Sequence, residues 1–246
     1  MYQGSPQLGV PPFTRIVKII VIANVAVWLS LVVILQGMIL NDNTVFQTLG
    51  LVPGSVLHNF FLWQPFTYMF LHSENIFHIL FNMLVVWMFG SELEGKWGAK
   101  FFLTYYLVCG IGAALIYTVC MIAYSLISGD VLSLATPVVG ASGAVFGLIL
   151  AYGIVFGERV VHFMMIFPMK AKYFAAILGV VEFFTMINSS SDSKVSNLAH
   201  LGGLVAGFIF LNGWVKWRTS RKQKQTPKRN LKLVVDNEKK DPKYWN

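Results

Sequence analysis

The stretch Pro137-Val138-Val139-Gly140-Ala141-Ser142-Gly143-Ala144-Val145-Phe146-Gly147 opens an apolar run that turns helical near Ser142 and ends at Phe156. A helix of ~15 residues is only ~22 Å long, too short to cross the ~30 Å hydrocarbon core of a bilayer. It carries no charged residue, so it does not suit water either. Its start must then lie below a membrane surface, reached through the irregular segment Pro137–Gly140. Irregular backbone at that depth is tolerated only inside protein or beside a water-filled cavity.

The rest of the chain fits that reading. Of 246 residues, 56% are hydrophobic and only 12% are Asp, Glu, Lys or Arg, with 20 Phe, 7 Trp and a mean hydropathy of +0.63. A soluble domain of this size lacks the interior to hide so much apolar surface. Disorder, a coiled coil and a disulfide-stapled secreted fold are excluded. Cys109 and Cys120 share one apolar span, ~16 Å apart along a helix, out of disulfide reach and read as buried thiols.

Five further segments read as spanning helices, making six: Val17–Gln36, Asn75–Gly90, Phe101–Ile127, Ser142–Phe156, Ala171–Met186 and Leu198–Trp217. The fold class is therefore all-α, a polytopic six-transmembrane-helix bundle with a short submerged fourth helix. The first segment is too long for a signal peptide and no cleavage pattern follows it. Alternating sides puts Arg15, Lys18, Lys96, Lys100, Arg159, Lys170, Lys172 and the tail bases together, and of the 19 basic residues only Lys194 lies opposite. That bias places both termini in the cytoplasm.

The organisation expected is a cytoplasmic N-terminal segment 1–16, an intramembrane domain 17–217 and a basic cytoplasmic tail 218–246. The net charge of +8 is concentrated in that tail, which reads as solvated or lipid-facing and not as a nucleic-acid surface. The 38–74 connection is rich in Phe, Leu, Trp and Pro, so it is expected to lie partly in the membrane interface. Arg159–Pro168 is apolar but short, and is expected to lie along the cytoplasmic face.

Polar groups inside spans are costly and call for a reason. His78 and Asn82 stand i, i+4 on one helix face, Ser142 opens the fourth helix, and His200 opens the sixth. Counting from charge markers at ~1.5 Å per residue, Ser142 lies ~25 Å above Arg159, His200 ~24 Å above Lys216, and His78 ~24 Å above Glu94. The three meet one plane, in a sunken polar cavity.

Those groups suit acyl transfer. A serine hydroxyl needs a base, and neutral histidine is the usual one. An oxyanion needs aimed donors, which His78, the Asn82 amide and the Ser142 N–H can supply. Phe146, four residues after Ser142, can stack on His200. Glu182 faces an undetermined direction in the fifth helix, so a Ser142–His200 dyad without an orienting acid is expected. Gly143 with Gly147 and Gly203 with Gly207 form small-xxx-small pairs that allow close helix approach.

Duller roles exist for each residue alone: a serine bonded to its own backbone, a satisfied interior histidine, a His–Asn helix cross-link. Their shared depth favours catalysis. His72 is expected to order the loop before the second helix, while His58 and His162 lie away from the cavity. Zinc between His78 and His200 is disfavoured, and no metal site is expected. A transporter site would bring an internal repeat, which is absent. A non-catalytic binder of membrane segments would need no serine.

These residues resemble the rhomboid family of intramembrane serine proteases, in its compact bacterial six-helix form. The matching pieces are Gly140-Ala141-Ser142-Gly143, Ala199-His200-Leu201-Gly202-Gly203 and His78-Ile79-Leu80-Phe81-Asn82, with Glu94 resembling the family's glutamate after the second helix. The resemblance covers about Pro11 to Trp217. It implies a Ser142–His200 dyad, an oxyanion site of His78, Asn82 and the Ser142 N–H, no cofactor, and membrane-protein substrates cut in or near a transmembrane segment. It implies that the fifth helix and the Asn188–Asn197 loop act as gate and cap, and that the 38–74 loop is a membrane-embedded hairpin. A bacterial inner membrane is the implied location. Two positions depart: the family's Trp-Arg pair is Trp63-Gln64, losing an anchoring charge, and Phe146 stands where Tyr is common.

Overall fold

The computed structural model describes residues 11–163, 167–188 and 191–225. It divides into two units, Met1–Asn212 and Gly213–Asn246. Among the described residues five helices are long and apolar enough to cross a membrane: Arg15–Leu40, Ile76–Trp97, Ala99–Ser128, Ala171–Asn188 and the Asn197–Ser220 part of a longer helix. The helix Ser142–Val155 is apolar but shorter. The chain is thus a polytopic, all-α membrane protein, with one small exception described below.

In chain order the elements are α1 (Arg15–Leu40), α2 (Thr44–Leu49), α3 (Pro53–His58), α4 (Gln64–Thr67), α5 (Ile76–Trp97), α6 (Ala99–Ser128), α7 (Ser142–Val155), β1 (Val160–Phe163), β2 (Phe167–Lys170), α8 (Ala171–Asn188) and α9 (Ser191–Gln225).

The start of α1 leaves backbone N–H groups without helical partners, an unaffordable state in lipid. Glu94 of α5 meets them: its buried carboxylate accepts from Ile16 N and Val17 N, each at 3.0 Å, and from the Thr14 hydroxyl. The glutamate singled out by resemblance therefore ties the first span to the second. α5 is capped in the ordinary way, Asn75 Oδ1 accepting from Phe77 N at 3.0 Å. α6 is bounded by Gly98 and Gly129, whose φ values of 82° and 74° suit glycine.

α6 is the scaffold. Tyr105, Tyr106, Tyr117 and Phe102 are fully or almost fully buried along it. Two tyrosine hydroxyls hold neighbours at helix carbonyls: Tyr68 Oη donates to Gly110 O at 2.7 Å, and Tyr105 Oη of α6 donates to Gly147 O of α7 at 2.8 Å. Small residues let backbones close in, as where a Cβ on Gly112 would lie 2.5 Å from Ala206 Cβ. Outward-facing Ile22, Leu29, Phe77, Phe81, Val119, Phe184 and Ile209 are exposed, forming the apolar surface that lipid covers.

The 38–74 connection is more ordered than its length suggests. It holds α2, α3 and α4, and Gln64 is its anchor: fully buried, it accepts from Val52 N at 3.0 Å and donates to Gln47 O at 2.9 Å and Thr48 O at 3.3 Å. The expected loss of anchoring at Gln64 is corrected, because a neutral amide both donates and accepts, which a guanidinium cannot. Trp63 adds its Nε1–H to Thr48 O at 2.9 Å. Leu57, Phe60, Leu62 and Phe66 stay exposed.

Two connections differ from expectation. Arg159–Pro168 is no simple surface segment: β1 and β2 pair antiparallel from Val160↔Lys170 to Phe163↔Phe167. β-branched Val160 and Val161 favour the extended state, and the pairing continues as Ala171 N donates to Arg159 O at 2.8 Å. At its base Glu158 meets Lys170 at 2.7 Å and also Lys172, and these ammonium groups hold its exposed carboxyl down to about 2. The expected Asn188–Asn197 loop is mostly helix, since α9 begins at Ser191; positions 189–190 lie outside the described residues. So do 1–10 and 226–246, and with them most of the expected terminal segments. In the second unit the Trp214 and Trp217 rings stack at 5.2 Å.

Replacing Glu94 with Ala removes the acceptor of three donors and should lower stability by about 3 kcal/mol, read as thermal unfolding in detergent. Glu94→Gln should lose less. A change below about 0.5 kcal/mol would mean that water replaces the carboxylate.

Candidate active site

Ser142 is the first residue of α7, and its position is set from below and above. Leu51 and Val138 form a two-way backbone bridge, N to O at 2.8 and 2.9 Å, and Gly140 N donates to Tyr68 O at 3.0 Å. The loop before α7 is thereby sewn to the α3–α4 region. Gly140 then turns the chain into the helix with φ of 129°, a value side chains disfavour. The first N–H groups of α7 have no intrahelical acceptor and are donors awaiting a partner.

Gly140 also makes room. A Cβ there would stand 2.8 Å from His78 Nε2 and 3.6 Å from Ser142 Oγ. The imidazole of α5 and the hydroxyl of α7 thus flank one glycine. On its other side the His78 ring is fixed: Ser73 N donates to Nδ1 at 3.2 Å and Ser73 Oγ lies 3.0 Å from the same nitrogen. A backbone amide can only donate, so Nδ1 is the acceptor and the proton of neutral His78 sits on Nε2, toward Gly140 and Ser142. His78 is thereby arranged as a donor.

Asn82 is buried, and one hydrogen of its amide returns to His78 O at 2.8 Å. Its i, i+4 relation to His78 is as expected, with the amide anchored to the same helix; a second N–H hydrogen remains.

His200 comes from α9. Its ring stacks on Phe146 at 4.4 Å and 15°, the packing expected from the i+4 spacing after Ser142. The helices meet so closely that a Cβ on Gly203 would overlap the Gly143 carbonyl oxygen, and one on Gly143 would lie 3.5 Å from Ala199 O and 2.6 Å from Ala113 Cβ. Ser142 and His200 are therefore immediate neighbours of the tightest interhelical contact, and His78 is within electrostatic reach of His200. No hydrogen bond joins Ser142 to His200 among the described residues, whereas His200 Nδ1 lies 3.0 Å from Glu182 Oε2. Sequence reading missed this partner. Its signal was a lone acidic residue in the 171–188 span, which lipid tolerates only when paired.

Glu94 and Trp63 lie elsewhere, as structural ties. His72 is fully buried, its ring edge-on to His78 at 5.0 Å. Burial first, and the neighbouring His78 second, hold its pKa down to about 3, so it stands neutral behind the site.

A rhomboid domain profile matches residues 59–218, which include Ser142, His200, His78 and Asn82. Rhomboid-like protease 2 of Toxoplasma gondii is 33% identical over 155 residues, 61% of this chain and 48% of that protein. Rhomboid protease AarA of Providencia stuartii is 31% identical over 154 residues, 60% and 54% of the two chains. Rhomboid protease GlpG of Serratia proteamaculans is 28% identical over 181 residues, 74% and 58%. The chain spans about half the length of these relatives.

Two outcomes follow from this geometry. Under the endopeptidase reading proposed below, Gly140→Ala should reduce peptide-bond cleavage at least about a hundredfold while the protein still folds, since its Cβ displaces His78 Nε2; cleavage within threefold of wild type would mean that His78 is not a donor there. For His72 the unfolded chain binds a proton below about 6.5 that the folded chain refuses until about 3. Stability should therefore fall as pH drops through that window, and His72→Asn should flatten the fall in pH-dependent unfolding in detergent.

Proposed function

The chain belongs to the rhomboid family, and on that premise we propose that it is an intramembrane serine endopeptidase hydrolysing peptide bonds in or near transmembrane segments of other membrane proteins. The observation that carries this reading is the meeting of a submerged helix start bearing Ser142 with the His200 helix at the Gly143–Gly203 contact, with His78 facing the same point. Ser142 Oγ attacks the scissile carbonyl while His200 takes its proton. The tetrahedral oxyanion is received by His78 Nε2–H, the Ser142 N–H and the free hydrogen of Asn82. As the intermediate collapses the C–N bond breaks and His200 gives its proton to the departing amine, leaving an acyl-enzyme; His200 then takes a proton from the water that attacks it, and returns that proton to Ser142 Oγ as the acid product leaves. Phe146 keeps the ring in place by stacking, without a hydroxyl.

The same proposal includes the six-helix form, with α7 as the short fourth helix; the division into 1–16, 17–217 and 218–246; both termini in the cytoplasm; and a bacterial inner membrane. Substrates and lipids are the partners, with no nucleic acid, metal or cofactor.

A second pairing has its own observation, the 3.0 Å contact of Ser73 Oγ with His78 Nδ1. Ser73 as nucleophile would use Nδ1 as base. Against it, that nitrogen already takes the Ser73 amide, Ser73 O is held by Trp28 Nε1 at 2.9 Å, and the nearby start of α5 is already capped, Phe77 N and His78 N both donating to Asn75. Ser73 then serves to lock the His78 tautomer.

Cleavage of a single-span reporter in proteoliposomes separates the two. Ser142→Ala and His200→Ala should each lose at least about a thousandfold, together with fluorophosphonate labelling for the serine variant. Ser73→Ala should stay within about tenfold of wild type. The reverse pattern would transfer the nucleophile to Ser73.

A further inference from the structure

Glu182 is the sole acidic residue in α8, and its carboxylate is 3.0 Å from the ring nitrogen of His200 that faces away from the role of base. Both side chains are largely enclosed, with 19% of His200 and 16% of Glu182 exposed. We propose that Glu182 is the positioning residue of the site, the third member behind Ser142 and His200. The inference rests on the Ser142–His200 reading proposed above.

An ionised carboxylate only accepts. Its contact with Nδ1 therefore fixes the proton of neutral His200 on that nitrogen and leaves the Nε2 lone pair free to receive the Ser142 proton. When the proton transfers, the imidazolium is stabilised by the adjacent negative charge, and the Glu182 carboxylate itself stays ionised. His78 and His200 are thus held in opposite tautomers by different partners: an amide donating to Nδ1 makes His78 a donor at Nε2, and a carboxylate accepting from Nδ1 makes His200 an acceptor at Nε2. One fold-built pair supplies both the base and the oxyanion donor from the same residue type.

Among the described side chains, the ion-pair partner of His200 is Glu182. α7 carries no charged residue, and the sole charge in α6 is Lys100 in its first turn. From α5, His78 lies near enough for the two rings to act on each other electrostatically. The contact also links helices. α8 is thinly held, with 11% of its span buried against 44% for α5 and α6, and its buried residues Ala171 and Ala175 lie at one end. Further along, Glu182 to His200 and Asn197 Nδ2 to Thr185 Oγ1 at 3.0 Å join it to α9.

The test uses full-length protein in proteoliposomes, with Glu182→Gln, Glu182→Asp, Ser142→Ala and His200→Ala. The expected result for Glu182→Gln is a fall in kcat of about ten- to a hundredfold, KM within about twofold, and an equal fall in the fluorophosphonate labelling rate of Ser142. Glu182→Asp should recover part of the loss. In nitrogen-15 histidine spectra the His200 signal, identified by its absence in His200→Ala, should report Nδ1–H in the wild type and a mixture in Glu182→Gln. Wild-type kcat and labelling in Glu182→Gln, with Ser142→Ala and His200→Ala silent, would overturn the positioning role and leave the serine–histidine pair standing. Equal losses in the Gln and Asp variants that track lost thermal stability, with the His200 tautomer unchanged, would also overturn it by assigning Glu182 to packing. Activity remaining in Ser142→Ala or His200→Ala would instead sink the reading on which it rests.

Discussion

The contact between Gly143 and Gly203 governs the site, because a side chain on Gly203 would push α7 and α9 apart and one on Gly143 would strike Ala113 of α6. Lipid tails compete well for any apolar surface, so helices in a membrane gain little from burying leucines against one another and more from close backbone packing. Here that packing has a chemical consequence. Ser142 precedes one glycine and His200 lies three residues before the other, so the approach of two backbones sets the approach of two reactive groups. Ala113 beneath Gly143, and Cys109 beneath Gly147, continue the same small-residue surface on α6. Cys109 is thus a packing residue at the centre of the bundle.

Around that contact, in a medium that offers little water, several polar groups serve as ties between elements. Glu94 closes the open start of α1, Gln64 binds the loop that supports α7, Tyr68 and Tyr105 bond to helix carbonyls beside glycines, and Glu182 meets His200. Tyr68 and Glu182 bring such ties to the site itself, while that of Glu94 lies away from it. Tyr68 illustrates the economy: its carbonyl holds Gly140, its hydroxyl holds Gly110, and that hydroxyl would lie 3.2 Å from a Cβ on Gly143. Burial pushes its phenol pKa well up, so it stays a neutral donor.

Particular residues show how far a linear reading goes. The start of α7 at Ser142 was legible in the sequence, and the Phe146 stack came from i+4 spacing. Gln64 was misjudged because only its missing charge was weighed, while its amide supplies both kinds of hydrogen bond. The β1–β2 hairpin was overlooked because an apolar run of that length suits a strand, a buried coil or a surface segment equally. The beginning of α9 was set too late, since the polar residues Ser191–Asn197 disguise a helix that simply extends past its apolar section.

The amino-acid order alone determined that this chain is a polytopic membrane protein and which segments are long and apolar enough to cross a bilayer. Those properties depend on composition and on a constant rise per residue, both of which are one-dimensional. Tertiary structure alone decided which way each helix is turned. Glu182 could face lipid, α7 or His200 for the same sequence and the same height, and the tautomers of the two histidines depend on which partners reach their Nδ1 atoms. Rotation about a helix axis is set by neighbours, and neighbours far apart in sequence become known only when the chain has packed.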